Sequence, residues 1–109
     1  MLKNLNTNIS IDTEIIHLKT LFDKTFGAIK YKDKGILLKT RFGLHSFFVK
    51  DTLEVIVLDK NLKVVKINEN FSPNKVFFWN LQYSLILELQ RGSVNKLKLK
   101  VGHIVKFNL

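Results

Sequence analysis

The sequence predicts a mainly β domain. Short apolar or alternating runs dominate the chain, and five glycines and a single proline, Pro73, punctuate them. No repeat, low-complexity tract or linker divides it, and 109 residues with 46% hydrophobic content suit one domain, 1–109, with its own core.

Residues 1–10 read as a flexible lead-in, and 14–19 as a strand. Thr20-Leu21-Phe22-Asp23 fits a capping box, with Thr20 accepting from the first turn and Asp23 reaching back. Phe22 and Phe26 then share one face, and Gly27 ends the turn, so a short helix is expected over 21–26. A longer helix from Asp12 competes, because Ile15, Leu18, Phe22 and Phe26 also lie near helical spacing.

The turn Lys32-Asp33-Lys34-Gly35 leads into strands at 35–39 and 44–49. The run 53–58 is almost continuously apolar, as an interior strand is. Asp59-Lys60-Asn61 forms a hairpin turn, with Asn61 suited to a left-handed conformation, and the return strand covers 63–67. A loop is expected over 68–75, a strand over 83–89, and a closing strand over 104–109. Lys96-Leu97-Lys98-Leu99-Lys100-Val101 alternates as a half-buried strand does, yet Ser93 just before it suits a helix N-cap. The two readings conflict.

Composition excludes several classes. With no cysteine, disulfides, thiolate zinc sites, iron–sulfur clusters and thiol nucleophiles are absent. No apolar run approaches the ~18–20 residues a spanning helix needs, and no signal-peptide core follows Met1, so a cytoplasmic location without membrane insertion is expected. The net charge of +9 favours anionic partners. Of the 18 basic residues, however, 16 are Lys, whereas specific nucleic-acid readers lean on the bidentate fork of Arg. Four Glu cannot pair sixteen Lys, so no ion-pair network is implied.

His17, His45 and His103 are too dispersed to form a local metal motif, and no P-loop, dinucleotide fingerprint, nucleophile elbow or EF-hand pattern occurs. No metal, cofactor or catalytic residue is therefore assigned.

The run Gly43-Leu44-His45-Ser46-Phe47-Phe48-Val49-Lys50-Asp51-Thr52-Leu53-Glu54-Val55-Ile56-Val57-Leu58-Asp59 resembles domain-of-unknown-function family 192. That family carries a pattern like I-H-T-F-F-M-x-x-P-[IL]-D-V-[IV]-F-[IL]-D. Downstream, Val64-Val65, Pro73, Ile86-Leu87-Glu88-Leu89-Gln90-Arg91-Gly92 and Gly102-His103 are similar to its V-V hairpin, lone Pro, V-L-E-L-x-x-G and G-D. Upstream, 22–29 is similar to its helical piece, so the resemblance spans about 14–109. Val49, Thr52, Glu54 and His103 depart from the pattern, which puts any family activity at those positions in doubt. The resemblance implies a small distorted antiparallel β-barrel with one or two short helices at its rim. It also implies a helical turn over 93–97.

Two candidate sites emerge. His45, Lys50, Asp51 and Glu54 cluster where one strand ends and the next begins, a placement suited to binding a small molecule or a protein partner. The competing readings are a backbone-bonding imidazole and a solvated turn with weak ion pairs. An enzyme built on His45, Lys50 and Glu54 ranks third and requires the imidazole within reach of a carboxylate. The alternative site is for nucleic acid. It combines Lys75, Phe77 and Trp79 in the aromatic run with Lys96, Lys98 and Lys100, competing with a loop that only caps the core. Glu88 shares a strand face with Ile86; a buried carboxylate there needs a partner, such as Arg91 or a Lys, and both a structural role and ligand contact stay open.

Overall fold

The computed structural model describes residues 1–18, 34–39, 44–45, 53–71, 76–77, 82–83 and 85–108. Its strands are β1 (Leu2–Asn4), β2 (Ile9–Ile11), β3 (Ile15–Leu18), β4 (Gly35–Lys39), β5 (Leu44–His45), β6 (Leu53–Leu58), β7 (Val64–Phe71), β8 (Val76–Phe77), β9 (Leu85–Gln90) and β10 (Val105–Phe107). One short helix, α1 (Ser93–Leu97), follows β9. The protein is mainly β, as its sequence predicts. The predicted helix over 21–26 lies outside the described residues.

The three apolar runs become the middle of the largest sheet. It has the order β3-β4-β9-β6-β7, so β4, β9 and β6 have neighbours on both sides. Both faces of these strands are covered, which is why β6 and β9 read as near-continuous hydrophobic runs. The first face carries Ile15, Leu37, Ile56, Leu58, Leu87 and Leu89, packed against Leu2, Val64, Val94, Leu97, Leu99 and Val105. The second carries Ile36, Leu38, Val55, Val57, Phe71 and Ile86, with Ile16, Leu53, Val65 and Tyr83 beside them.

Several expectations need correction. β3 runs parallel to β4, in the register Ile15↔Gly35 to Leu18↔Leu38, so the large sheet is mixed and not purely antiparallel. The described strands form a five-stranded sheet, the three-stranded sheet β10-β1-β2 and the pair β5-β8, not one closed cylinder. They suit a distorted, barrel-like β fold. Residues 1–10 are not a loose lead-in. They form β1 and much of β2, with β1 between β10 and β2 and with Leu2 and Asn4 fully buried.

β7 continues through Asn68, Glu69 and Asn70 to Phe71, where a loop was expected. Phe71 pairs with Leu53 and fills the second face, and register shifts against β6 absorb the extra residues. In the β6–β7 hairpin Asp59 acts as the expected turn former: its Oδ1 accepts from the N–H groups of Asn61 at 2.8 Å and Lys63 at 3.0 Å. Leu62, not Asn61, takes the left-handed conformation at φ 62°. Its side chain is drawn toward the first core, and its carbonyl accepts from Val105 N–H.

The 96–101 conflict resolves in favour of the helix. α1 ends at Lys98, which adopts φ 50°, and Leu97 and Leu99 then reach the same core without a strand. Ser93 is not the N-cap. Gly92 holds that position at φ 93°, and Ser93 Oγ donates back to Gln90 O at 2.7 Å.

The first strand ties down the end of this helix. Asn4, buried on β1, donates through Nδ2 to Leu97 O at 3.0 Å and to His103 Nδ1 at 3.0 Å, while its Oδ1 accepts from Asn6 N–H at 3.0 Å. Thr7 Oγ1 adds a second donor to Leu97 O at 3.2 Å. Asn4→Ala removes one of the two donors to that helix-terminal carbonyl and one of the two to the ring nitrogen, and leaves the Asn6 N–H without its acceptor. It is expected to lower unfolding stability by about 2–3 kcal/mol, read from the urea midpoint at unchanged m-value.

Candidate functional site

Of the four residues expected in the binding cluster, Glu54 is described fully. It lies on β6 opposite Leu89, on the first face of the sheet, and is 3% exposed. Its two carboxylate oxygens are committed to the start of α1. Oε2 accepts from Gly92 N–H at 3.0 Å and Oε1 from Val94 N–H at 2.7 Å. Gly92 has no side chain with which to cap, so a carboxylate 38 residues earlier satisfies two orphan amides and places negative charge at the positive end of the turn. His45 is placed by its backbone alone, in β5 opposite Val76 of β8. Lys50 and Asp51 lie outside the described residues.

The alternative set is divided in the same way. Phe77 is placed by its backbone opposite Leu44, and Lys75 and Trp79 lie outside the described residues. Lys96, Lys98 and Lys100 are exposed along α1 and the segment after it.

Lys98 and Lys100 line an open cleft of about 520 Å³ with Thr7, Glu69, Val94, Asn95, Leu99 and His103. Val94 and Leu99 are buried members of the first core and provide apolar ground. His103 closes the turn that begins at Lys100, donating its N–H to Lys100 O at 3.0 Å. Its Nδ1 faces two donors, Asn4 Nδ2 at 3.0 Å and Lys100 N–H at 3.3 Å. Asn4 cannot reverse its amide, because Leu97 O needs the NH2 and Asn6 N–H needs the oxygen. Nδ1 is therefore an acceptor, and the neutral ring carries its hydrogen on Nε2.

Sequence reading did not assemble this cleft. Thr7, Glu69 and Asn95 come from three separate segments, and no local spacing brings them together. Asn4 did leave a signal, as a polar residue at the inward position of a strand that also buries Leu2.

Glu88 is a second buried acid. It sits at 6% exposure on β9, the middle strand, between Ile36 of β4 and Val55 of β6. Among the described residues no hydrogen bond or ion pair reaches its carboxyl, and Arg91, one of the expected partners, is exposed. Burial away from water pushes its pKa from the ordinary 4.5 up to about 7. Among the described residues, no group of three or more His, Cys, Asp or Glu could hold a metal ion.

Two predictions follow from these acids. Glu54→Ala leaves two helix-start amides unsatisfied and is expected to cost about 2–3 kcal/mol, measured by urea unfolding at pH 7. For Glu88 the folded chain holds the proton more tightly than the unfolded chain does. Stability is therefore highest below pH 4.5 and falls as pH rises toward about 7, by roughly 3 kcal/mol, then levels. Glu88→Gln removes this contribution. The difference in stability between variant and parent, measured at pH 5 and pH 8, is expected to move in the variant's favour at the higher pH.

Comparison with known proteins finds a distant sequence relative and solved structures that share the fold. No family model matches the chain. A UPF0127 protein of Pyrococcus horikoshii is 25% identical over 114 residues, covering 98% of each chain. A Sinorhizobium meliloti protein called a "putative transcription regulator" shares the fold, with a TM-score of 0.76 and 16% identity over 96% of this chain and 88% of that one. A Novosphingobium aromaticivorans protein of unknown function has a TM-score of 0.74 and 15% identity, over 97% of this chain and 81% of that one. The distant homologue and the structural neighbour of unknown function point to an uncharacterised conserved family.

Proposed function

We propose that this protein is a non-catalytic binding module whose cleft takes a small anionic molecule, and that it is a member of domain-of-unknown-function family 192. The observation that carries the binding reading is the open cleft of about 520 Å³ lined by Lys98, Lys100 and His103 together with the apolar Val94 and Leu99. A volume of this order accommodates a small ligand. Lys98 and Lys100 offer ammonium donors to a phosphate or carboxylate, and His103 keeps Nε2–H as its remaining donor. Glu69 on the rim disfavours ligands with negative charge along their whole length. The family assignment rests on the order of the sequence motifs and on the distant UPF0127 relative. His45, Lys50 and Asp51 stay in the proposal as a second polar group, whereas Glu54 contributes by holding α1 in place behind the cleft.

A second reading is association with single-stranded nucleic acid through Lys96, Lys98 and Lys100, with Lys75, Phe77 and Trp79 as further contacts. The exposure of the first three lysines favours it, as does the description given to the Sinorhizobium neighbour.

Thermal unfolding separates the readings. Inorganic phosphate at constant ionic strength is expected to raise the melting temperature by a few degrees, through preferential binding to the folded state. Lys98→Ala combined with Lys100→Ala is expected to abolish the rise. If phosphate and chloride give the same melting temperature, the anion cleft is wrong. Tight binding to a single-stranded oligonucleotide that falls steeply with salt would move the assignment to the second reading.

A further inference from the structure

The three-stranded sheet has one face against the core and one against solvent. Leu2, Val105 and Phe107 point inward with Ile9 and Ile11. By alternation, Met1, Lys3 and Leu5 occupy the outer face of β1, and Ile104 and Lys106 that of β10. The register sets them side by side. Lys3 is opposite Lys106, Leu5 N–H donates to Ile104 O at 2.9 Å, and Ile104 in turn bridges to Lys63. The large apolar side chains here are open to water: Met1 is 53% exposed, Leu5 48% and Ile104 39%. Val101, at 62%, lies in the turn leading into Ile104.

We propose that this outer face docks on an anionic lipid bilayer, with Leu5 and Ile104 entering the headgroup region and Lys3, Lys63 and Lys106 meeting lipid phosphates. The charge of the face is complementary to such a surface. Its acids are peripheral: Asp12 lies beyond the end of β2, and the Asp59 carboxylate is held by hairpin amides. The residue types select a membrane over a protein partner. Protein interfaces favour Trp, Tyr and Arg and are depleted in Lys, whereas this face presents aliphatic chains and lysines. They also select against a nucleic acid, whose bases would seek aromatic platforms and whose phosphates gain nothing from Leu5 or Ile104. The proposed interaction is with the bilayer surface; no helix among the described residues is long and apolar enough to cross.

Co-sedimentation with vesicles tests the proposal. Binding is expected to vesicles containing about 30 mol% phosphatidylserine, with little to pure phosphatidylcholine. Lys3→Glu with Lys106→Glu is expected to lower partitioning at least ~10-fold. Leu5→Ser with Ile104→Ser is expected to lower it several-fold. Lys39→Glu with Lys66→Glu, which changes the net charge equally on the other sheet, is expected to bind close to the parent. All of these are surface positions, and far-UV circular dichroism verifies folding. Absence of binding to the anionic vesicles overturns the proposal. So does an equal loss in the Lys39/Lys66 variant, which would indicate bulk charge alone, or unchanged binding in the Leu5/Ile104 variant. Because Lys98 and Lys100 are untouched throughout, the result is independent of the cleft.

Discussion

A helix of five residues has no stability of its own in water, because nucleating a turn costs more than one turn of hydrogen bonds returns. α1 persists because distant parts of the chain satisfy both of its ends. Glu54 accepts two amides at the start, and Asn4 and Thr7 donate to the Leu97 carbonyl at the finish. With its ends held, the helix can lay Val94 and Leu97 into the core between the two larger sheets. The position of the cleft follows, since its floor is Val94 and Leu99 and its rim is the chain that leaves the helix. These few polar contacts link the sheets, the helix and the site into one arrangement.

The strands were legible where burial decides sequence. β4, β6 and β9 are interior, so they are apolar on both faces and easy to find. The short strands at the start of the chain were harder. β1 and β2 have only three residues each, and β1 takes one of its two neighbours from the other end of the chain. Asn68, Glu69 and Asn70 look like loop formers, which hides the second half of β7. They lie on an edge strand whose pairing to β6 outweighs their low strand propensity. The alternation over 96–101 left strand and helix both open, since a helical turn followed by a left-handed residue places Leu97 and Leu99 inward as a strand would.

The site was legible only in part. Glu54 drew notice in a cluster with His45, Lys50 and Asp51 where one strand ends and the next begins, but its partners in the fold are backbone amides that no sequence pattern displays. Lys98 and Lys100 were found through charge alone. Their relation to Thr7 and His103 depends on β1 lying against β10, a long-range pairing invisible to local spacing. Glu88 shows the reverse case. Its burial was readable from period-two alternation, while its setting between Ile36 and Val55 could emerge only from the packed sheet.

The pairing of Leu2 with Phe107 has a kinetic side. It joins residues more than a hundred positions apart, and β1 must also sit in the middle of its sheet. Contacts between remote parts of a chain are slow to form, because the intervening polymer must be brought together before any reward arrives. The interior β4–β9–β6 assembly, which draws on closer segments, can organise first. Until β10 arrives, a chain emerging from a ribosome would hold its first strand with one edge open, and that interval is when self-association or chaperone capture competes with folding.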